Sequence, residues 1–276
     1  MLDAQARVYN GLAESRAVRH AVEDVAGGLA TTHLWALLGW HDIRQRYRRS
    51  VLGPFWLTIS SAIMVGTMGI LYAKLFNQDI ARYMPYLAIG LIVWQFIATV
   101  INESCTVFTK SDKMIKQIRL PLMTHVCRML WRNVLIFAHN AVIIVVVTLF
   151  FLNVSLAGAL LSVVGLVGLI LNCIWVGLLI GVLCTRFRDV PPIVASLVQI
   201  AFFLTPILWY PELLGNRIAL VKANPFFHAI EAIRGPIIGT ASYMDSLLFL
   251  YALFLVGAPL TLLFFARYRP RVPYWL

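Results

Sequence analysis

The chain has 276 residues, of which 61% are hydrophobic and only 13% are charged. This composition excludes a disordered chain and an ordinary soluble globular domain. Its 23 Lys and Arg residues outnumber its 12 Asp and Glu residues, and the formal net charge of +11 suits either a nucleic acid or a membrane surface as partner.

Two polar segments open the chain. Residues 1–30 lack the apolar core and cleavage site of a secretory signal, and we expect a mobile or loosely helical arm. Residues 31–54 are predicted to form an amphipathic helix in the membrane interface, because Trp40 and Ile43 fall on one helical face and Arg46 on the other. The alternative is a solvated run of charges that only fixes the topology.

Six apolar runs follow, and each is close to the ~20 residues with which a helix crosses a hydrocarbon core of ~30 Å. They cover residues 55–76, 84–108, 130–151, 158–184, 191–210 and 246–266. A soluble protein of this length cannot bury six such segments. We therefore predict an all-α integral membrane protein with six transmembrane helices in a domain at 55–266, followed by a tail at 267–276.

The basic residues are distributed unevenly over the predicted loops. Most of them lie in segments that share one side of the membrane if the spans alternate, and the exceptions are Lys74, Arg82, Arg217, Lys222 and Arg234. By the positive-inside rule, both termini are predicted to be cytoplasmic. Topology and attraction to anionic lipids explain the basic surplus, and no nucleic-acid partner is expected.

Two of the predicted loops carry short helical patterns. Residues 110–119 are expected to form a compact cytoplasmic helix that ends before Pro121, and an ordinary basic loop is the alternative. On the outer side, Asn224 can cap a helix that has Pro225 at its first position and that Gly235 and Pro236 would stop. Two short re-entrant helices are predicted there.

Motifs for chemistry within the chain are absent. The sequence contains no P-loop, no hydrolase motif and no metal-ligand spacing, so neither catalytic nor metal-binding residues are predicted. Glu103 is the one acidic residue within a predicted span, near its inner end. A salt bridge to Lys110 or to another lysine of the following loop is its expected role.

Aromatic residues are the remaining signal. As a set, some of them are predicted to line a path for sugars, whose apolar C–H faces pack on aromatic rings. The six chosen for this role are Tyr72, Trp94, Phe202, Phe203, Trp209 and Tyr210. For each residue taken singly, an aromatic belt at the lipid headgroups or ordinary helix packing is the alternative.

Four short motifs, in order along the chain, resemble those of the ABC-2 polysaccharide export permeases. Residues 42–56, DIRQRYRRSVLGPFW, resemble the family pattern RDI-x-x-R-Y-x-x-S-x-L-G-x-x-W, with His41 in place of its first arginine. Residues 186–190 (RFRDV), 205–211 (TPILWYP) and 224–226 (NPF) resemble its R-[FY]-R-D-[IV], T-P-I-x-x-x-P and N-P-[FL] motifs.

The resemblance implies partners and residue roles. It implies a homodimer with two copies of an ABC ATPase, which would bind the ATP and Mg²⁺, and a channel for a lipid-linked polysaccharide at the dimer interface. Pro206 is expected to kink the fifth span near an outer gate within residues 218–238. The implied ATPase-coupling residues are Lys110, Lys113, Met114, Lys116, Gln117 and Arg119. The implied entrance-helix residues are Trp35, Trp40, Arg44, Arg46, Tyr47, Arg48 and Arg49. The implied outer-gate residues are Asn224, Pro225, Phe226 and Phe227.

The function implied by the resemblance is export of undecaprenyl-linked polysaccharide across a bacterial inner membrane, with O-antigen as the first candidate cargo. Export of capsule or teichoic acid is the alternative. A drug or lipid ABC-2 exporter and an autonomous secondary carrier are further alternatives. A carrier would be expected to place a charged site at the membrane midplane, which the sequence does not show.

Overall fold

The computed structural model describes residues 2–46, 48 and 55–276, with side chains described from residue 16 onward except at positions 214, 216 and 217. These residues form α-helices joined by short turns and 3₁₀ segments, and no β-strand occurs among them. In chain order the helices are α1 (Leu2–Ala30), α2 (Thr32–Arg46), α3 (Phe55–Leu75), α4 (Ile80–Ser104), α5 (Asp112–Gln117), α6 (Leu122–Phe151), α7 (Leu156–Arg186), α8 (Val190–Leu204), α9 (Ile218–Lys222), α10 (Pro225–Ile238), α11 (Tyr243–Tyr268) and α12 (Val272–Trp275).

Five helical segments are long and apolar enough to cross a membrane: α3, α4, α6, α7, and α11 with its extension through α12. They correspond to five of the six predicted spans. The predicted span at 191–210 is shorter in the structure, since α8 has only 15 residues. A helix of that length rises ~22 Å, less than the ~30 Å hydrocarbon core.

The end of α8 explains this difference. Thr205 is extended, with φ −94° and ψ 134°, as is usual for a residue before proline. Pro206 therefore lies outside the helix, and the kink predicted there is wrong because the helix ends instead. Residues 205–210 continue in non-helical conformation at the end of the bundle.

Helix α4 forms the core of the bundle. In its most apolar stretch 78% of the residues are buried, against 17% in α3. It packs on α3, α6, α7, α8 and α10. The Asp79 carboxylate caps its first turn by accepting a hydrogen bond from the Ala81 amide at 3.1 Å. Helix α3 is peripheral, and most of its side chains are exposed.

The amino-terminal segment is more ordered than predicted. The expected mobile or loosely helical arm is the continuous helix α1, whose second half packs against α6 and α11. Asp24 is 4% exposed, and its two carboxylate oxygens accept hydrogen bonds from the Met123 amide at 3.1 Å and from Arg269 Nε at 2.7 Å. One carboxylate thus joins three helices.

Short helices occur in both predicted loops, with bounds that differ from those expected. Helix α5 ends at Gln117 because Ile118 is extended, so Ile118 does not belong to its apolar face. Helix α10 begins as predicted, with the Asn224 side chain accepting a hydrogen bond from the Phe226 amide. It continues past Gly235 and Pro236 and ends at Gly239, whose φ of +83° favours glycine.

Helices α7 and α10 approach each other closely. A Cβ atom at Gly165 would overlap the Ala232 carbonyl, and one at Gly158 would overlap that of Pro236. The Ser162 hydroxyl donates to the Ile233 carbonyl oxygen at 2.8 Å. We call the end of the bundle at which α9 and α10 lie the gate end, and the end at which α1, α2 and α5 lie the basic end.

Candidate functional site

An ion-pair network joins three helices at the basic end. The Asp42 carboxylate of α2 accepts hydrogen bonds from Arg128 Nε at 2.8 Å and Nη2 at 2.5 Å, and from Arg132 Nη1 at 3.0 Å. Arg132 Nη2 also donates to Glu103 Oε2 of α4 at 2.6 Å. The two arginines, both on α6, therefore tie α2 and α4 together.

The electrostatics of Asp42 follow from this pairing. Burial by itself would raise the pKa of the Asp42 carboxyl, but the hydrogen bonds and positive charges of Arg128 and Arg132 outweigh it, and the pKa is lowered. The carboxylate is therefore charged in the folded protein at neutral pH. The network behaves as a fixed brace between the helices.

Glu103 has different partners from those predicted. Its carboxylate accepts hydrogen bonds from Arg132, from Asn133 Nδ2 at 2.7 Å and from Arg46 Nη2 at 3.3 Å. The predicted salt bridge to Lys110 or another lysine of the following loop is wrong, because the cations at this carboxylate are Arg46 and Arg132. Three donors from α2 and α6 reach the carboxylate, and they satisfy it.

The entrance-helix residues lie in and just after α2. Trp35 packs edge-on against Trp131 of α6, with ring centroids 5.7 Å apart, while Trp40 is 49% exposed. Arg44, Arg46 and Arg48 are exposed. The predicted Tyr47 and Arg49 lie outside the described residues.

The predicted ATPase-coupling residues lie on α5 and the turns beside it. Lys113 is exposed, and Lys116 pairs with Asp112 at 2.8 Å within the helix. Met114 is half-buried and lies 4.0 Å from Arg128 Nη1 of the network, which links α5 to α6. The other predicted residues, which are exposed, are Lys110, Gln117 and Arg119.

A groove with polar side chains runs between α3, α4 and α6. It encloses about 400 Å³. The Ser61 hydroxyl donates to Gln95 Oε1 at 3.1 Å, and the Thr58 hydroxyl donates to Asn140 Oδ1 at the same distance. Hydroxyl and amide groups at mid-helix are costly against lipid, so such a lining is typical of a polar pathway.

The predicted channel aromatics occupy different environments. Trp94 is 6% exposed and packs between Phe202 and Phe226, with centroid distances of 5.8 and 5.5 Å. Phe203 is 65% exposed, and Tyr72 stacks on Phe76. The structure thus brings α4, α8 and α10 together around Trp94.

At the gate end, two tyrosine side chains of α4 hold the segment after α8. The Tyr83 hydroxyl donates to the Leu208 carbonyl at 2.6 Å, and the Tyr86 hydroxyl lies 2.8 Å from the Pro206 carbonyl and 2.9 Å from that of Trp209. Tyr210 packs on Tyr86 at 4.3 Å between centroids. This end of the bundle is therefore held by hydrogen bonds and ring contacts.

A buried ion pair completes the gate end. Arg234 is 1% exposed, pairs with Glu231 at 2.9 Å, donates to the Pro206 carbonyl at 3.0 Å and lies 3.8 Å above the Tyr86 ring. Glu231 also accepts a hydrogen bond from Thr240. Sequence reasoning missed this pair. The available signal was two opposite charges three residues apart within an apolar segment.

The predicted gate residues surround these contacts. Besides capping α10, Asn224 donates from Nδ2 to the Thr205 hydroxyl at 2.9 Å, and Pro225 takes the first helical position. Phe226 packs on Trp94, and Phe227 is buried. Among the residues that the structure describes, no group of three His, Cys, Asp or Glu side chains is placed to hold a metal ion.

Comparison with known proteins adds to this geometry. Residues 33–238 match the model of the family described as ABC-2 type transporter. The O-antigen export system permease protein RfbA of Klebsiella pneumoniae is 22% identical over 232 residues, which cover 83% of this chain and 90% of that protein. A permease of the same name from Myxococcus xanthus is 22% identical over 61% of this chain and 65% of its own length.

Proposed function

Because the chain belongs to the ABC-2 type transporter family, we propose that it is the channel-forming permease of an ATP-driven exporter that carries undecaprenyl-linked O-antigen out of the cytoplasm. The observation that carries this proposal is the similarity to O-antigen export permeases over 83% of the chain. The hydroxyl and amide groups that line part of the groove between α3, α4 and α6 support a hydroxyl-rich cargo.

The proposal includes the assembly. Two copies of the chain, with both termini in the cytoplasm of a bacterial inner membrane, pair with two ABC ATPase subunits that bind ATP and Mg²⁺. The exposed lysines of α5 suit a contact with the ATPase, and the contact of Met114 with Arg128 gives a route from α5 into the ion-pair network.

The proposed transport step couples the two ends of the bundle. Closure of the ATPases on ATP moves α5 and, through Arg128 and Arg132, the helices α4 and α6 that border the groove. Such a conformational change requires that ATP bind the two states with different affinity. At the gate end, displacement of residues 205–210 opens the way out.

The decisive experiment is reconstitution in a bacterial strain that makes an undecaprenyl-linked O-antigen but lacks its own exporter. Co-expression of this chain with the ABC ATPase that co-purifies with it is expected to restore O-antigen on the cell surface. The chain without the ATPase is expected to restore none. Export by the chain alone contradicts the proposal and favours a secondary carrier. Rescue of a matched strain that lacks its capsule exporter, without rescue of the O-antigen strain, contradicts the cargo.

A further inference from the structure

Helix α5 is too short to hold its position without support from other elements. It has six residues, whereas isolated helices shorter than about 12–15 residues are marginal in water. Met114 contacts Arg128 of α6, and the half-buried Ile115 packs against the apolar core. The position of α5 therefore depends on the elements that pack on it.

The carboxy-terminal helix α12 is one of those elements. It packs against both α5 and α7. Its first residue, Val272, is fully buried and belongs to the apolar core against which Ile115 packs. Helix α12 therefore bridges the short helix α5 and a membrane-spanning helix.

Both ends of α12 are held by side chains. Just before the helix, Arg269 donates from Nε to the buried Asp24 carboxylate at 2.7 Å. At the other end, the centroid of the Trp275 ring lies 5.1 Å from the guanidinium carbon of Arg186, the last residue of α7, and 5.9 Å from the Tyr268 centroid. A guanidinium within ~6 Å of an indole centroid is attracted to the ring, so this contact fixes the end of α12 to α7.

The charge of Arg186 is free to interact with aromatic rings. Arg186 is exposed, forms no salt bridge within the described part of the chain and also lies 5.2 Å from the centroid of the Phe187 ring. It is the first residue of the motif RFRDV at 186–190, which contributes to neither the groove nor the gate end. Its contact with Trp275 gives this residue of the motif a place in the structure.

We propose that Arg186 and Trp275 are positioning residues: their contact holds α12 on α7, and α12 holds α5 in the position that the ATPase contacts. The holding of α5 depends on the packing of these helices alone, whereas its consequence for the ATPase rests on the proposed function. Because α7 is in backbone contact with α10 at Gly158 and Gly165, α12 also connects α5 to the gate end by a route that does not pass through the ion-pair network.

The mobility of a spin label on α5 tests this holding, measured by electron paramagnetic resonance on the full-length chain in nanodiscs. The label is attached at Gln117→Cys, an exposed position, and the four native cysteines are buried. Trp275→Ala and Arg186→Gln are each expected to increase the mobile fraction of the label ~2–5-fold, the effect of losing one cation–π contact. A label at Gln78→Cys, between α3 and α4, is expected to be unaffected, whereas a general loosening of the fold would mobilise both labels.

Tyr274→Ala and Arg188→Gln are the matched controls. Tyr274 is an 88% exposed ring on α12, and Arg188 is an exposed arginine two residues after Arg186. Both controls, and Arg186→Lys, which retains the positive charge, are expected to keep the mobility of the unmodified chain. Unchanged mobility in Arg186→Gln, or an equal increase in the controls, overturns the proposal. Because Arg186 is exposed, this variant decides the question even if Trp275→Ala fails to fold.

A second measurement tests the consequence for the ATPase. With the ABC ATPase that co-purifies with the chain, Arg186→Gln is expected to lower the stimulated hydrolysis ~2–5-fold at an unchanged KM for ATP, because the nucleotide site is not altered. Unchanged hydrolysis in a variant with a mobile α5 would contradict the positioning role. If the unmodified chain stimulates no ATPase, the proposed function fails, and the spin-label result still decides whether α12 holds α5.

Discussion

Asp42 accepts hydrogen bonds from two arginines of α6, and this pairing determines how the protein responds to acid. A carboxyl with a lowered pKa contributes stability above its unfolded-state value of 3.8, and this contribution is lost as the pH falls through the lower folded-state value. At pH 7 the free energy of unfolding of the Asp42→Asn variant is therefore expected to be ~1–3 kcal/mol lower than that of the unmodified chain. Below pH ~4 the unmodified chain loses this contribution as well, so the difference between the two is expected to shrink.

Thermal unfolding in detergent between pH 7 and pH 3 measures this difference. Asp112→Asn is the matched control, because Asp112 pairs with Lys116 on the surface of one short helix. Its unfolding temperature is expected to stay near that of the unmodified chain at pH 7. Parallel pH curves for Asp42→Asn and the unmodified chain would contradict the role given to Asp42.

Asp24 is the second residue whose charge is structural. Replacement by Ala leaves the Met123 amide without its acceptor and Arg269 without its carboxylate. We therefore expect the free energy of unfolding to fall by about 2–3 kcal/mol. Chemical denaturation in mild detergent measures it. The neighbouring Glu23 pairs with exposed side chains of α1, so Glu23→Ala is expected to leave the free energy of unfolding unchanged. Equal loss in both variants would show that α1 is not held by Asp24.

Residue partners were the part of the site that sequence could least predict. The position of Glu103 near the end of a span and its need for a cation were predicted correctly, but the cations are Arg132 and Arg46 and not Lys110. Lys110 is close along the chain, whereas Arg132 is brought close by the packing of α6 on α4. Sequence distance favours the wrong partner because it ignores helix packing.

At the scale of the element, α5 presents two exposed lysines to a partner at the basic end. The double variant Lys113→Glu/Lys116→Glu is expected to reduce co-purification of the ATPase and its stimulated hydrolysis at least fivefold, since it replaces attraction by repulsion. Membrane insertion is expected to be normal. Lys74→Glu, at the end of α3, is the control. Unchanged hydrolysis and export in the double variant would remove α5 from the contact.

The segment at residues 205–210 is the gate-end element held by side chains. Tyr86→Phe removes the hydroxyl that contacts the Pro206 and Trp209 carbonyls. A hydrogen bond of this kind stabilises the closed segment by about 1 kcal/mol, so the fraction of molecules with residues 205–210 displaced is expected to increase ~5-fold. The labelling rate of a Trp209→Cys reporter by a water-soluble maleimide measures it.

Tyr72→Phe is the control for this experiment, because the Tyr72 hydroxyl has no hydrogen-bond partner among the described residues and its ring stacks on Phe76. With Tyr72→Phe, the Trp209→Cys reporter is expected to be labelled at the same rate as in the protein that carries only the reporter substitution. Equal labelling in the Tyr86 and Tyr72 variants would show that the Tyr86 hydroxyl does not hold the segment.

Element types were predictable from hydropathy, while their ends were not. Helix α6 begins at Leu122 and not at 130, because Arg128 is polar in sequence but is paired with Asp42 in the structure. The helix α8 ends early because one proline, Pro206, outweighs the apolar residues that follow it. Apolar runs locate spans, but caps and ion pairs set their lengths.

At the scale of the whole molecule, the proposed export path is tested by the aromatic residues of α8. The double variant Phe202→Ala/Phe203→Ala is expected to lower surface polysaccharide several-fold at equal protein level, because the passing sugars lose two rings on which their C–H faces can pack. Phe150→Ala/Phe151→Ala, two adjacent and exposed rings on α6, is the matched control. Equal export by both double variants would take Phe202 and Phe203 out of the path.

The membrane class of the molecule was predictable from composition, but the relation between its two ends was not. The buried pair of Glu231 and Arg234 lies in a segment that sequence reasoning treated mainly as apolar. Its partners, Tyr86 and the Pro206 carbonyl, come from distant parts of the chain. Such a cluster requires α4, α8 and α10 to meet, which no local pattern encodes.

The close approach of α7 and α10 has a mechanical consequence. The backbones of α7 and α10 are in direct contact at Gly158 and Gly165, so sliding or rotation of one helix would produce a steric clash with the other. We therefore expect α7 and α10 to move together as one rigid body. Residues 205–210 have no such interlock. A pore at this end would therefore open by release of residues 205–210 from the paired helices, and a ligand that reinforces their polar contacts with Tyr83, Tyr86 and Arg234 would keep it closed.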